Sequence, residues 1–239
     1  MPSTLVHMAL AALVAAALLR EAFDARSLVL VVGLTALADL DAFASLVMAG
    51  AHRTVLHTLL VPALLAGLVI VDTRYREQST LRRAWNGRGP RVAGVAILAF
   101  GVSAIGLDLF TNGVNVLWPV VDQFYVLDGK LVLSTKHGVV QTFVNLDPPT
   151  GSVPAPESIG NTSTVHLGTG VDPKPGPEPK DVERIFPVVR TGWQALVLGL
   201  GVLVPAVRLR DARRRASGPE TSDDDFAGGE DEPPADGSE

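Results

Sequence analysis

Apolar residues fall in five blocks along the chain, separated by short polar stretches. The first, Leu5 to Leu19, is interrupted only by His7 and is followed by Arg20, Glu21, Asp24 and Arg26. Leu28 to Gly50 is the second, long enough at about 1.5 Å per residue to cross a hydrocarbon core of about 30 Å. Thr54 to Val71 is the third, opening with His57 and broken softly by Pro62. Val92 to Val121 and Val188 to Val207 are the fourth and fifth. At about 15 residues the first block is short for a span. A signal peptide would carry its basic residues ahead of the apolar run, whereas Met-Pro-Ser-Thr has none and the charges follow it. A first transmembrane helix is expected there, with a half-inserted helix as the alternative.

The polar stretches set the orientation. Thr73 to Arg91 holds Arg74, Arg76, Arg82, Arg83, Arg88 and Arg91, which places this loop in the cytoplasm by the positive-inside rule. The Arg20/Arg26 turn and Arg208, Arg210, Arg213, Arg214 and Arg215 after the fifth block then fall on the same side, giving an external N-terminus and a cytoplasmic C-terminus. Residues 122–187 are left outside. Within them Phe124 to Leu127 and Leu131 to Leu133 predict two strands joined by an Asp128-Gly129 hairpin turn, with a third strand at Val139 to Val144. From Asp147 to Pro187 the chain is rich in Pro, Gly, Ser and Thr and predicts an extended tether. Asn161-Thr-Ser is a glycosylation-type motif. His137 and His166 are expected to be surface residues. The tail after Ala216, with Asp223-Asp224-Asp225 and Glu230-Asp231-Glu232, predicts disorder.

The expected fold is mainly α: a polytopic helical membrane protein of about five transmembrane helices, with a small external β-containing insertion and a disordered acidic tail. Residues 1–121 form a four-helix membrane domain and 122–187 the external hairpin region with its tether. Residues 188–215 form the fifth helix with its basic end, and 216–239 the tail. A multi-pass plasma-membrane location follows, with the bilayer as a partner.

Intramembrane polar residues then share one level. His7 lies near the outer end of the first helix, Asp39 and Asp41 in the outer half of the second, His57 one turn into the third, and Asp108 in the outer half of the fourth. A central Asp costs roughly 2.5–3.5 kcal/mol on insertion scales, so three would cost on the order of 8–10 kcal/mol unless compensated. A divalent cation is the natural compensation, and histidine with carboxylate suits zinc, manganese or iron. Asp39 and Asp41, two residues apart, lie about 200° apart on an ideal helix. Either the helix is unwound between Ala38 and Asp41, or one Asp binds the ion and the other orients a histidine or arginine. His52 is placed in the turn before the third helix, with Thr54 as its N-cap. Asp108, Thr111, Asn112 and Asn115 recur at helical spacing as one polar stripe.

Composition narrows the chemistry. The 239 residues are 47% hydrophobic and 19% charged, with mean hydropathy +0.30. Cysteine is absent, so metal ligands must be nitrogen and oxygen. The net charge of −5 hides arginine clusters and an acidic tail, a composition suited to a salt-adapted organism. No nucleic-acid partner is expected, and the sequence does not set the oligomeric state.

At these residues the chain resembles the membrane-bound metal-dependent hydrolases, a family of LexA-binding, inner-membrane-associated hydrolases. The resemblance rests on His7, Leu37-Ala-Asp39-Leu-Asp41, His52-Arg53-Thr-Val-Leu-His57-Thr58, and Asp108-Leu-Phe-Thr111-Asn-Gly113 leading to Leu117-Trp118-Pro119. Ala38, Thr54, Leu56 and Ala104 stand where members carry proline, glycine, threonine and often histidine. The resemblance covers roughly residues 1–120 and implies a hydrolase without giving its substrate. On this reading His7, Asp39, His57 and Asp108 bind the metal, with Asp41 and His52 as further ligands or orienters. Asp41 would be the general base, and Arg53 would hold an anionic, lipid-derived or other phosphoester substrate. The rival reading is a non-catalytic membrane protein that retains the polar cluster and works through its external region.

Overall fold

The computed structural model describes residues 2–146, 156–176 and 181–216. The acidic tail beyond Ala216 and parts of the expected tether lie outside the described residues. The helices are α1 (Thr4–Leu18), α2 (Ala25–Ala44), α3 (Leu60–Ile70), α4 (Thr80–Ala84), α5 (Gly89–Leu109) and α6 (Gly192–Ala216). α2 tightens to a 3-10 step over Ala38–Leu40, α3 runs into a π turn over Val71–Tyr75, and α5 carries a π turn over Gly101–Gly106. Among the described residues three helices are long and apolar enough to cross a membrane: Ala25–Ala44, Gly89–Leu109 and Gly192–Arg214. α1 is apolar but has 15 residues, about 22 Å of helix, and α3 has 11.

Helix starts follow local chemistry. Asp24 caps α2 by accepting from Ser27 N at 2.7 Å, and Ser79 caps α4 by accepting from Arg82 N at 3.2 Å. Pro90 sits in the first turn of α5, where its missing N–H removes no helical bond. The same holds for Pro62, which opens α3 instead of breaking it.

Alanine fills the seam between helices. Ala11, Ala15 and Ala16 of α1 meet Val31 of α2 and Ala96 and Ala99 of α5 in one buried cluster. Small residues let backbones approach closely where the surrounding lipid offers little hydrophobic drive. α6 lies along α1 with Gly201 against Ala9, so close that a Cβ on Gly201 would overlap it. Val29, Leu64, Leu68, Leu196 and Val202 point outward, giving the bundle an apolar exterior.

The basic clusters meet at one end of this bundle. Arg26 donates to Ala84 O and lies 4.1 Å over the Trp85 ring, Arg91 donates twice to Leu18 O, and Arg208 lies 4.6 Å over Phe23. The polar residues of the first, second and fourth apolar blocks gather toward the other end.

Two apolar blocks end earlier than hydropathy suggests. α2 stops at Ala44 and residues 45–59 run as turns, so His57 precedes α3 instead of lying one turn into it. Thr54 does not cap α3; its hydroxyl donates to Gly50 O at 2.7 Å. α5 stops at Leu109, and Gly113 at φ 88° turns the chain sideways. The expected stripe from Asp108 to Asn115 therefore does not form. Residues 114–116 cross between the 53–59 stretch and the first strand: Val114 pairs with Tyr125, Asn115 N donates to Arg53 O, and Leu59 N donates to Val116 O.

The strands are β1 (Phe124–Val126), β2 (Leu131–Ser134), β3 (Gly138–Gln141) and β4 (Glu157–Gly160). β1 pairs antiparallel with β4, and β2 with β3. The Asp128-Gly129 hairpin is thus absent, because β1 is occupied by Val114 on one side and β4 on the other; the hairpin lies between Ser134 and Gly138. The third expected strand is present, shortened to β3.

Candidate metal centre

Each member of the polar group is aimed by a local feature. His7 is in the first turns of α1 and is buried. Asp39 sits in the 3-10 step of α2. Asp108 is in the last turn of α5, just after the π turn, which adds a residue to the helical path; without it the side chain would be rotated by about 100°. His57 is held by a stretch pinned at both ends, with Arg53 N donating to Asp41 Oδ2 at 3.0 Å and the Thr58 hydroxyl donating to Val116 O at 3.1 Å.

The structure brings His7, Asp39, His57 and Asp108 together so that one donor atom from each lies within 4.8 Å of the others. His7 Nδ1 is 3.3 Å from Asp39 Oδ2, and His57 Nε2 is 3.6 Å from Asp39 Oδ1 and 3.5 Å from Asp108 Oδ2. The second nitrogen of each ring is already spoken for. His7 Nε2 donates to Asp108 Oδ1 at 3.2 Å, and His57 Nδ1 donates to Asp41 Oδ2 at 2.8 Å. These bonds put a proton on His7 Nε2 and on His57 Nδ1, and in the neutral rings the lone pairs of His7 Nδ1 and His57 Nε2 face the group.

A divalent metal ion fits this donor set on two grounds. His7 Nδ1, Asp39 Oδ2, His57 Nε2 and Asp108 Oδ2 are all buried without a hydrogen-bond partner among the described residues. Buried polar atoms are nearly always satisfied, so four unpartnered atoms gathered in one group could together hold a cation. Bonds of about 2.1 Å put neighbouring donors of a tetrahedral site about 3.4 Å apart; His7 Nδ1–Asp39 Oδ2 and His57 Nε2–Asp108 Oδ2 lie at 3.3 and 3.5 Å, and one donor from each residue lies within 4.8 Å of the others. Charge agrees: three carboxylates (Asp39, Asp41, Asp108) and one guanidinium (Arg53) sum formally to −2 with neutral imidazoles, which a divalent ion cancels.

Asp41 and His52 stand behind this group, not in it. Asp41 Oδ1 accepts from His52 Nδ1 at 2.9 Å, while Oδ2 accepts from His57 Nδ1 and Arg53 N. Both oxygens are engaged, so the carboxylate holds two imidazoles and a backbone N–H. His52, expected among the ligands, is outside the four-donor set because its Nδ1 is tied to Asp41; its ring lines a cavity of about 390 Å³ beside the centre. Of the two alternatives posed by Asp39 and Asp41, the helix is tightened to a 3-10 step and not unwound, and Asp41 hydrogen-bonds the His52 and His57 rings.

Arg53 has a φ of 61°, a left-handed conformation costly for a side chain with a Cβ. Its Nη2 meets Asp108 Oδ1 at 2.8 Å. Asn115, expected in a helical stripe with Asp108, instead reaches Asp122 Oδ1 at 2.7 Å through Nδ2, and Asp122 Oδ2 accepts from the Thr162 hydroxyl at 2.6 Å. Burial raises the Asp122 carboxyl, but the donors from Thr162 and Asn115 outweigh it and hold the group below the usual carboxylate range. This clamp ties the strand-bearing segment to the stretch that carries Arg53.

A family model described as the YdjM inner membrane protein matches residues 1–164. The chain belongs to the YdjM inner membrane protein family. No match is found among curated proteins or among solved structures. The match agrees with the resemblance carried by the motifs at His7, Asp39, His52 to His57 and Asp108, and extends through all four strands. It supports a membrane location. Of the positions where this chain departs from the motifs, Ala38 is buried in the 3-10 step, Thr54 satisfies its hydroxyl at Gly50 O, and Ala104 packs with Phe100, Ile105 and Val114. The four donors meet without a ligand at residue 104.

The remaining expectations fall away from the centre. His137 is exposed, and His166 lies 3.8 Å from Asp172. Asn161 uses its side-chain oxygen to accept from the Ser163 hydroxyl at 2.7 Å, closing a local turn.

Proposed function

We propose that this chain is an integral membrane hydrolase that depends on a divalent metal ion, zinc, manganese or iron, and acts on a phosphoester. The observation that carries the reading is the set of four partnerless donors on His7, Asp39, His57 and Asp108 beside a cavity lined by His52, whose ring is hydrogen-bonded to Asp41. When bound, a divalent ion there lowers the pKa of a coordinated water and polarises the bond to be cut.

The protein's own residues do the rest. His7, Asp39, His57 and Asp108 hold the ion, and Asp41 fixes the His57 ring with Nε2 forward. His52, tied at Nδ1 to Asp41, takes and returns a proton at Nε2, the role the sequence assigned to Asp41. Arg53 pairs with Asp108 and keeps further donors for an anion.

The positive-inside rule turns the arginine end of the bundle to the cytoplasm. The centre and strands then face the external side, with the N-terminus outside, the C-terminus inside, and α1 and α3 completing five crossings. The rival, a structural cluster of imidazolium–carboxylate pairs without an ion, suits the same separations; the lack of a hydrogen-bond partner at His7 Nδ1 and His57 Nε2 among the described residues weighs against it.

The test is turnover of chromogenic phosphomonoesters and phosphodiesters by detergent-purified protein loaded with zinc, manganese or iron. Asp39→Ala should abolish turnover, and His52→Ala should lower it by about 10²–10⁴-fold with metal content retained. Turnover unchanged in Asp39→Ala would sink the proposal.

A further inference from the structure

The cavity beside the centre has two chemically different halves. Its floor is Asp39, His52 and Arg53, and its walls and mouth include Leu5, Phe43, Val171, Ile185, Phe186 and Val188. Arg53 is 1% exposed and lines this floor, yet its Nε and Nη1 have no hydrogen-bond partner among the described residues. Burying guanidinium donors without acceptors is costly, and the side chain is nevertheless held there by Asp108 at Nη2 and by a left-handed backbone. Nε and Nη1 lie on different edges of the guanidinium, Nη2 being taken by Asp108, so each is a single charged donor that an anionic oxygen can satisfy.

The mouth has the opposite character. Phe43, Ile185 and Phe186 are each more than half exposed. It is also a built edge: the Ser3 hydroxyl donates to Val188 O at 2.6 Å, fixing the 185–188 stretch beside the start of α1. A free phosphate would need no apolar mouth. At about 390 Å³ the cavity sits at the small end of ligand sites, room for a head and the first part of one chain but not for a whole lipid.

We propose that this cavity is a subsite for an amphiphile with a phosphate head, the head on the unpartnered guanidinium donors of Arg53 and the chain leaving past Phe43 and Phe186 into the bilayer. The proposal rests on the metal-dependent phosphoester reading and names its substrate class. The divalent ion and Arg53 together offset the carboxylates that would otherwise repel the head.

The test is native mass spectrometry of the full chain in neutral detergent, with dodecyl phosphate, dodecanol and inorganic phosphate as probes, and metal content read on the same samples. Dodecyl phosphate should bind one per chain, at least about tenfold tighter than either control. Arg53→Gln should reduce it to the level of dodecanol. Because Arg53→Gln also disturbs Asp108, Phe186→Asp is the second variant: dodecyl phosphate weakens by about tenfold while inorganic phosphate and metal content stay at parental values. Dodecyl phosphate binding no tighter than dodecanol overturns the phosphate head, and inorganic phosphate binding as tightly overturns the apolar chain. A head preference without metal leaves the subsite standing and sinks the hydrolase reading; full metal without the preference does the reverse.

Discussion

Replacing Asp41 by Asn tests the layer behind the metal. Asp41 accepts three bonds, from His52 Nδ1 at 2.9 Å, His57 Nδ1 at 2.8 Å and Arg53 N at 3.0 Å. Asn keeps one acceptor oxygen and turns an NH2 toward groups that are themselves donors, so part of the triple hold is lost and the His57 ring is freed to rotate. Carboxylates that orient metal-binding histidines typically contribute 10–100-fold in affinity, about 1.4–2.8 kcal/mol. Competition against a fluorescent chelator in detergent should show that loss in Asp41→Asn, with the stoichiometry still filling at high metal. Thermal unfolding of the metal-free forms separates a general loss of fold from a loss at the site. Parental affinity in Asp41→Asn would refute the orienting role, and a variant as empty as Asp39→Ala would make Asp41 a ligand.

Gly50 at φ 65° has Thr162 backbone where a Cβ would sit, so Gly50→Ala should cost about 1–3 kcal/mol and release the strand-bearing segment to limited proteolysis; unchanged protection would contradict this contact. Asp122, held below its ordinary value near 3.9, stabilises the clamp fully above that value and less as pH falls through its lower folded value. Protease cleavage of the segment should therefore rise as pH drops below about 4, and Asp122→Asn should remove that dependence while raising cleavage at neutral pH. Because cysteine is absent, single cysteines report topology cleanly: in intact cells an impermeant maleimide should label Ser163→Cys and spare Ala84→Cys, and the reverse pattern would invert the proposed orientation.

The convergence of His7, Asp39, His57 and Asp108 was legible because membrane insertion penalises isolated polar groups, and the blocks that carry them all place them toward one end of the bundle. The limits of the helices were not. Hydropathy reports that Leu46 to Ala51 and Phe110 to Val121 are mostly apolar, not that Gly50 and Gly113 turn the chain. Once those stretches are irregular, residues 53–59 and 114–116 can lie side by side, which sets Arg53 and His57 in place. The Asp128-Gly129 signal was local turn chemistry that lost to Val114 and β4, partners far along the chain. Asp41 and Asp39 differ by two positions, and only the loop folding back over α2 decides which faces the centre. In the Asn115–Asp122–Thr162 clamp, helical spacing drew attention to Asn115 for a stripe that does not form, and no periodicity links Asp122 to Thr162, 40 residues on.

The central claim is that four side chains from three helices and a loop hold one divalent ion. Mass-spectrometric metal analysis of protein purified in detergent without an affinity metal, beside Asp39→Ala and His57→Ala of equal monodispersity, tests it directly. About one equivalent of zinc, manganese or iron in the parent, lost in both variants, is the predicted result. A parent that stays empty after incubation with each of the three metals would contradict the account.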